Sequence, residues 1–259
     1  MLLGVNIDHI AVLREARKIN DPNPLDALGI CKLAGADQIT IHLREDRRHM
    51  QDSDMKNIIA LSQLPVNLEC SINDEMIDIA CQNKPHRVTL VPENREEVTT
   101  EGGLDVEGTY DQLTKAITKL HKHEIEVSLF IDPNLEVIGL AKTLDVEWIE
   151  LHTGSFANIY AMLFSGLNTT HHSIKELELS RKELSNKLDL SLQEIQKSCK
   201  EAKKIGLKIA AGHGLNYQNV HYISKIDEIS ELNIGQSIIA RSVFIGLKDA
   251  IIDMKVLIK

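Results

Sequence analysis

Glu126-Val127-Ser128-Leu129-Phe130-Ile131 is an apolar run of strand length, and Asp132-Pro133-Asn134 closes it with turn and helix-capping residues. A helical stretch over residues 135–142 follows, then a second apolar run, Trp148-Ile149-Glu150-Leu151-His152. Strand, turn, helix and strand in that order form a βα unit of a parallel sheet. The same alternation recurs in both directions. Strands are predicted over residues 2–7, 37–42, 66–70 and 87–91 before this unit, and over 207–211 and 231–234 after it. Helical patterns over 24–33, 54–61, 74–80 and 110–122 lie between strands, and a last helix begins near Ser237.

Eight strands alternating with helices favour closure into a barrel over an open doubly wound sheet. No Gly-x-Gly-x-x-Gly follows the first strand, which also weakens a dinucleotide fold. The length of 259 residues suits one such barrel, which takes roughly 250. The expected fold is therefore α/β: a single (β/α)8 TIM barrel with extra helices, residues 1–259 forming one domain. A long helical insertion is expected at 155–206, after the sixth strand. Its middle, 175–187, is rich in Glu, Lys and Ser and reads as a solvated helical hairpin or a partly mobile insertion. The polar stretch 92–108, with Gly102-Gly103, has the composition of a mobile lid. With aromatics at only 3%, aliphatic side chains are expected to fill the core, including the barrel interior.

Composition excludes several function classes. The net charge of −9 argues against a nucleic-acid-binding face. No apolar run approaches the roughly 18 residues of a membrane span. The first residues show no secretory pattern. Cys31, Cys70, Cys81 and Cys199 form no Cys-x-x-Cys pair, so neither zinc nor a disulfide framework is expected, and a reducing cytoplasm is the natural location.

Polar residues fall where the predicted strands end. Asn6, Asp8 and His9 follow the first; His42, Arg44 and His49 close and follow the second; Glu69 is near the end of the third. Thr99 and Thr100 lie after the fourth and Asp132 after the fifth. Glu150, His152 and Thr153 end the sixth. Gly212-His213-Gly214 follows the seventh and Gly235-Gln236 the eighth. Strand C-termini converge on one mouth of such a barrel, where active sites are built.

The chemistry of these residue types is specific. Glycines after the last two strands, beside a helix N-terminus, let backbone N–H groups approach a phosphate; otherwise they make only tight turns. Arg44-Glu45-Asp46-Arg47-Arg48-His49 is a solvated charge run or, at this position, an arginine clamp for a second phosphate. Glu69 and His42 end neighbouring strands. Singly, each reads as a salt-bridged or satisfied core residue; together they suit proton abstraction. His213, exposed between glycines, suits a general acid. Asp8-His9 offers metal-ligand types, but hydrogen bonds to substrate hydroxyls suit them equally, and no metal is expected. His121, His123, His171 and His172 read as surface residues, and Cys70 as pointing away from Glu69.

The assembled motifs resemble the pyridoxine 5′-phosphate synthase family. The matching blocks include Gly4-Val5-Asn6-Ile7-Asp8-His9-Ile10, His42-Leu43-Arg44-Glu45-Asp46-Arg47-Arg48-His49, Asn67-Leu68-Glu69, Leu90-Val91-Pro92-Glu93 and Glu97-Val98-Thr99-Thr100-Glu101-Gly102-Gly103. They continue with Glu150-Leu151-His152-Thr153-Gly154, Ala211-Gly212-His213-Gly214-Leu215 and Glu231-Leu232-Asn233-Ile234-Gly235. The resemblance spans essentially the whole chain. It implies a cofactor-free condensation of 3-amino-2-oxopropyl phosphate with 1-deoxy-D-xylulose 5-phosphate, giving pyridoxine 5′-phosphate, phosphate and water. It makes Glu69 and His42 general bases, His213 the general acid and Glu150 a stabiliser of developing charge. Asn6, Arg17, Gly214, Gly235 and Gln236 would hold the amino-ketone phosphate and product. Asp8, His9, Arg44, His49 and Thr99 would hold the sugar phosphate. It further implies small phosphorylated substrates, a homo-octamer, and neither nucleic-acid nor membrane partners. Gln236 stands where a histidine is common, and the stretch between Gly154 and Leu207 is longer than in many members. Two other readings are a different phosphate-binding barrel enzyme, such as an aldolase or epimerase, and a non-catalytic scaffold barrel. A Schiff-base aldolase needs a lysine at a strand end, and no predicted strand ends in one.

Overall fold

The computed structural model describes residues 1–93 and 102–259. The strands β1 (Leu2–Asn6), β2 (Gln38–His42), β3 (Val66–Cys70), β4 (Arg87–Leu90), β5 (Glu126–Ile131), β6 (Trp148–His152), β7 (Lys208–Gly212) and β8 (Glu231–Ile234) pair in parallel, each with the next. β8 returns to β1 with Gly4 opposite Asn233, closing the barrel. The expected TIM barrel is therefore observed, with strand ends shifted by at most one residue.

Around it run the helices α1 (Asp8–Arg17), α2 (Ala27–Ala34), α3 (Asp52–Leu61), α4 (Asp74–Asn83), α5 (Tyr110–Lys122), α6 (Leu135–Thr143), α7 (Gly154–Phe164), α8 (Arg181–Lys204), α9 (Val220–Ile223), α10 (Gln236–Ile245) and α11 (Leu247–Leu257). Local chemistry sets their starts. Asn134 caps α6 by accepting the N–H groups of Glu136 and Val137, and Ser180 with Glu183 forms a capping box on α8. The single C-terminal helix expected from Ser237 is broken at Gly246, whose φ of +84° is unfavourable for other residues.

Residues 175–187 are not a hairpin. A short 3-10 turn (Lys175–Leu177) leads into α8, which packs on α6 and α7 through Leu184, Leu188, Ile195 and Cys199. The charged residues between those positions face outward and mask a narrow apolar stripe. Of the stretch 92–108, residues 94–101 lie outside the described residues, Thr99 and Thr100 among them. Its later part is anchored: Leu104 and Val106 are buried, and Leu104 N–H donates to the Phe130 carbonyl at 2.8 Å.

The aliphatic barrel interior expected from composition is not observed. Side chains alternate along each strand. Ile39, Ile41, Leu68, Val88, Leu129 and Leu151 face the helices and make the apolar layer. Gln38, Thr40, Asn67, Arg87, Thr89, Glu231 and Asn233 are buried in the bore. Arg87 on β4 reaches across to an ion pair with Glu231 on β8, donates to Gln38 Oε1 at 3.0 Å and lies 4.3 Å from the Trp148 ring centroid. A buried charge persists only when paired and hydrogen-bonded, and this network meets that condition. The buried polar side chains of the strands therefore gather on the inner face, which leads up to the mouth.

Candidate active site

Asn6, His42 and Glu69 sit at or near the C-termini of β1, β2 and β3, and register places His42 directly beside Glu69. Asn6 Nδ2 donates to Glu69 Oε2 at 3.4 Å, and Asn6 Oδ1 accepts the Asp8 N–H at 2.9 Å. Asp8, the first residue of α1, accepts the backbone N–H of His42 with both carboxylate oxygens at 2.9 and 3.0 Å. His42 Nδ1 lies 3.9 Å from Glu69 Oε2. Four residues from three strand ends thus share one network, as their positions predict.

Burial pushes the Glu69 carboxyl well above its ordinary range, and the nearby charges of Glu150 and Asp8 add to the shift. Burial pushes His42 down to about 3, with Arg44 the next largest cause. With the His42 ring neutral, the His42–Glu69 contact is not an ion pair, despite its distance. The His42 Nε2 is buried and has no hydrogen-bond partner among the described residues. We expect the His42 ring to stay neutral from pH 5 to 8. Ring-15N NMR checks this, and an imidazolium signal appearing around pH 6.5 contradicts it.

Glu150 is 3% exposed in the bore below the mouth. Burial raises its carboxyl to about 7, opposed by the bond it accepts from Asn233 Nδ2 at 2.7 Å. Gly212 makes room for it, since a Cβ there would stand 2.3 Å from Glu150 Oε1.

His213 and Gly214 follow β7 with φ of +77° and +79°, and both are exposed. The left-handed backbone at His213, rare for a residue with a side chain, keeps its ring at the mouth. There it lies against the edge of His152, ring centroids 4.9 Å apart. His152 is itself oriented by Asp132, Nδ1 to Oδ1 at 2.9 Å. The bond to His152 holds Asp132 below its ordinary range, helped by the Gly103 N–H, which donates to its Oδ2 at 2.9 Å. Asp132 is therefore more than the turn residue that its Asp-Pro-Asn context implies; Asn134 alone does the capping. The pairing was not legible in sequence, although both residues stand at strand ends.

Arg44 is half-buried, and its charge reaches His42, Glu69 and Glu93. Its neighbours serve structure: Arg47 binds Asp52 and Glu75, and Arg48 binds Asp46. The His49 carbonyl accepts from buried Arg14, which is held bidentately by Asp54 at 2.9 and 2.7 Å. His9 is half-buried in the first turn of α1. Gly235 and Gln236 open α10, whose N-terminal N–H groups suit an anion; a Cβ at Gly235 would stand 2.9 Å from the Asn6 Cβ. Arg17 is exposed at the end of α1, roughly 13 Å of helix rise from Asp8, so strand position does not bring it to the mouth as it does the others. α1 does touch α10, the helix that Gln236 opens.

Among the described residues, Asp8, His42 and Glu69 have donor atoms within 4.8 Å of one another, close enough for a cation. Asp8 already commits both oxygens to the His42 N–H, and Arg44 adds positive charge beside the group. The arrangement suits holding and moving protons better than holding a metal. Cys70, the last residue of β3, is buried with its thiol raised to about 12, and no thiolate chemistry is open to it.

A closed barrel with a shielded glutamate, a neutral histidine and glycine-opened helix ends at its mouth defines a (β/α)8-barrel protein equipped for proton transfer. The family model described as "Pyridoxal phosphate biosynthesis protein PdxJ" matches residues 3–259, and the chain belongs to that family. It is 75% identical over 259 residues to the pyridoxine 5'-phosphate synthase of Aliarcobacter butzleri (strain RM4018), covering 100% of this chain and 99% of the relative. It is 66% identical over 258 residues to that of Sulfurovum sp. (strain NBC37-1), covering 100% of both. Among solved structures, N-(5'-phosphoribosyl)anthranilate isomerase from Pyrococcus furiosus superposes with a TM-score of 0.60 at 12% identity, covering 100% of this chain and 98% of that one. That likeness concerns the fold alone. The family read from the sequence motifs is thus the family found.

Proposed function

We propose that the chain is an enzyme that condenses 3-amino-2-oxopropyl phosphate with 1-deoxy-D-xylulose 5-phosphate into pyridoxine 5′-phosphate, releasing phosphate and water. The observation that carries this reading is the Asn6–Glu69–His42–Asp8 network at one mouth, with the Glu69 carboxyl raised and His42 neutral. Imine formation, enolisation and water loss consist largely of proton transfers, which such groups perform. Glu69 and His42 act as bases, His213 donates protons, and Glu150 stabilises developing charge. Asn6, Arg17, Gly214, Gly235 and Gln236 hold the amino-ketone phosphate; Asp8, His9, Arg44, His49 and Thr99 hold the sugar phosphate. Two phosphates supply binding energy away from the reacting atoms, which aligns those atoms. No cofactor or metal takes part.

A Schiff-base aldolase would need a lysine at the mouth. Lys208 stands at the opposite, N-terminal end of β7, which favours the condensation.

Residues 1–259 act as one domain, in the cytoplasm, within a homo-octamer. Exposed Leu33 on α2, Phe244 on α10 and Val256 on α11 support self-association; Phe244 is 87% exposed, and α11 touches both other helices. Among the described residues no helix is long and apolar enough to cross a membrane, and all four cysteines are free, which suits a reducing compartment.

The test is incubation of the purified full chain with both substrates and no added metal, following pyridoxine 5′-phosphate by mass spectrometry. Product that requires both substrates is expected. Its absence with and without added divalent metals overturns the reading.

A further inference from the structure

Asn233 on β8 is buried in the bore, and its side-chain amide has one orientation that satisfies its neighbours. Its Oδ1 accepts from Thr40 Oγ1 at 3.1 Å and from Gln38 Nε2 at 3.4 Å. Both donors stand on β2, two strands away. Gln38 is in turn fixed by accepting from Arg87, which is paired with Glu231. With the oxygen so held, the Nδ2 group must point the other way. It donates to Glu150 Oε2 on β6 at 2.7 Å, again two strands away.

Contacts that skip a strand need a gap in the strand between. Both gaps are glycines registered beside Asn233. Gly4 on β1 is its partner on one side and Gly212 on β7 its partner on the other. A Cβ at Gly4 would stand 2.0 Å from Asn233 Oδ1, and one at Gly212 would stand 2.3 Å from Glu150 Oε1. The sequence thus spends two small residues on bringing Thr40, Gln38, Asn233 and Glu150 into line.

We infer that Asn233 is a positioning residue: locked by Thr40 and Gln38, it aims an N–H donor at Glu150 and holds that carboxyl in place as a charge-bearing group beneath the mouth. This rests on the reading of Glu150 as a participant in the reaction. Asn233 itself works through Glu150, the group its Nδ2 bonds. A hydrogen bond to the charged form lowers a carboxyl pKa, so its loss frees the full effect of burial.

The experiment titrates Glu150 by side-chain carboxyl 13C NMR in the parent, Asn233→Ala and the similarly sized Asn233→Leu, with steady-state kinetics on each. Removing the donor is expected to move the Glu150 midpoint up by about one pH unit. At pH 7 kcat should fall roughly fivefold with KM nearly unchanged, because the ionised fraction of Glu150, whose carboxyl starts at about 7, falls while the binding groups stay intact. A purely packing role would leave the midpoint where it is. If Asn233→Ala does not fold, Asn233→Leu keeps the volume and decides the matter. A folded variant in which Glu150 titrates as in the parent overturns the inference. Unchanged kcat in Glu150→Gln instead removes the reading beneath it, while the titration still reports whether Asn233 governs the carboxyl.

Discussion

Glu69→Gln is expected to lower turnover by about 10²- to 10⁴-fold while leaving the circular dichroism spectrum like the parent's and, because the buried carboxyl is raised, the melting temperature no lower. Glutamine keeps the shape and can still accept from Asn6 Nδ2, so the site should stay assembled. What it removes is the group that takes a proton. The raised carboxyl makes ionised Glu69 a stronger base than an ordinary glutamate. Because the ionised form acts, the parent's activity should rise with pH, with its acid limb above the usual carboxylate range. A Glu69→Gln protein that turns over within about tenfold of the parent would mean that the general base lies elsewhere.

Glu150→Gln should do two opposite things. It should depress turnover, and it should stabilise the fold at alkaline pH. Folding raises the Glu150 carboxyl from its ordinary 4.5 to about 7. Between those values the folded chain binds a proton that the unfolded chain releases, so stability falls as pH rises through that window. Well above pH 7 the cost of the buried charge reaches about 3 kcal/mol. Glutamine does not ionise and escapes this cost. Thermal melts of parent and variant should therefore nearly coincide around pH 4.5 and separate progressively towards pH 8.5, the variant melting higher. Curves that keep a constant gap at every pH would show that Glu150 does not ionise within the window.

These two carboxyls show how stability is exchanged for function. Each is buried more deeply than a free carboxylate tolerates, and each has a neighbour that eases the charge: Asn6 for Glu69 and Asn233 for Glu150. Apolar residues would be less costly at either position.

Much of this was open to inspection in the linear chain. The alternation of apolar runs and amphipathic helices is a local pattern, and eight repeats of it lead to a closed barrel. Because barrel strands all end at one mouth, residues such as Asn6, His42 and Glu69 could be grouped by position without knowing any contact. The motif blocks around them were sufficient for the family. Arg17 was assigned by motif alone, and its place at the end of α1 follows from no strand pattern.

The contents of the bore were decided only by tertiary structure. Alternation along a strand tells which side chains share a face but not which partner each will find across the barrel. Asn233 meets Glu150 across 83 residues of chain, and Arg87 meets Glu231 across 144. The Asp132–His152 pair and the gaps at Gly4 and Gly212 likewise depend on which strands become neighbours. The proton affinities follow from the same cause. Burial of Glu69, His42 and Glu150 is imposed by all eight strands closing around them, a collective property that no local stretch of sequence encodes.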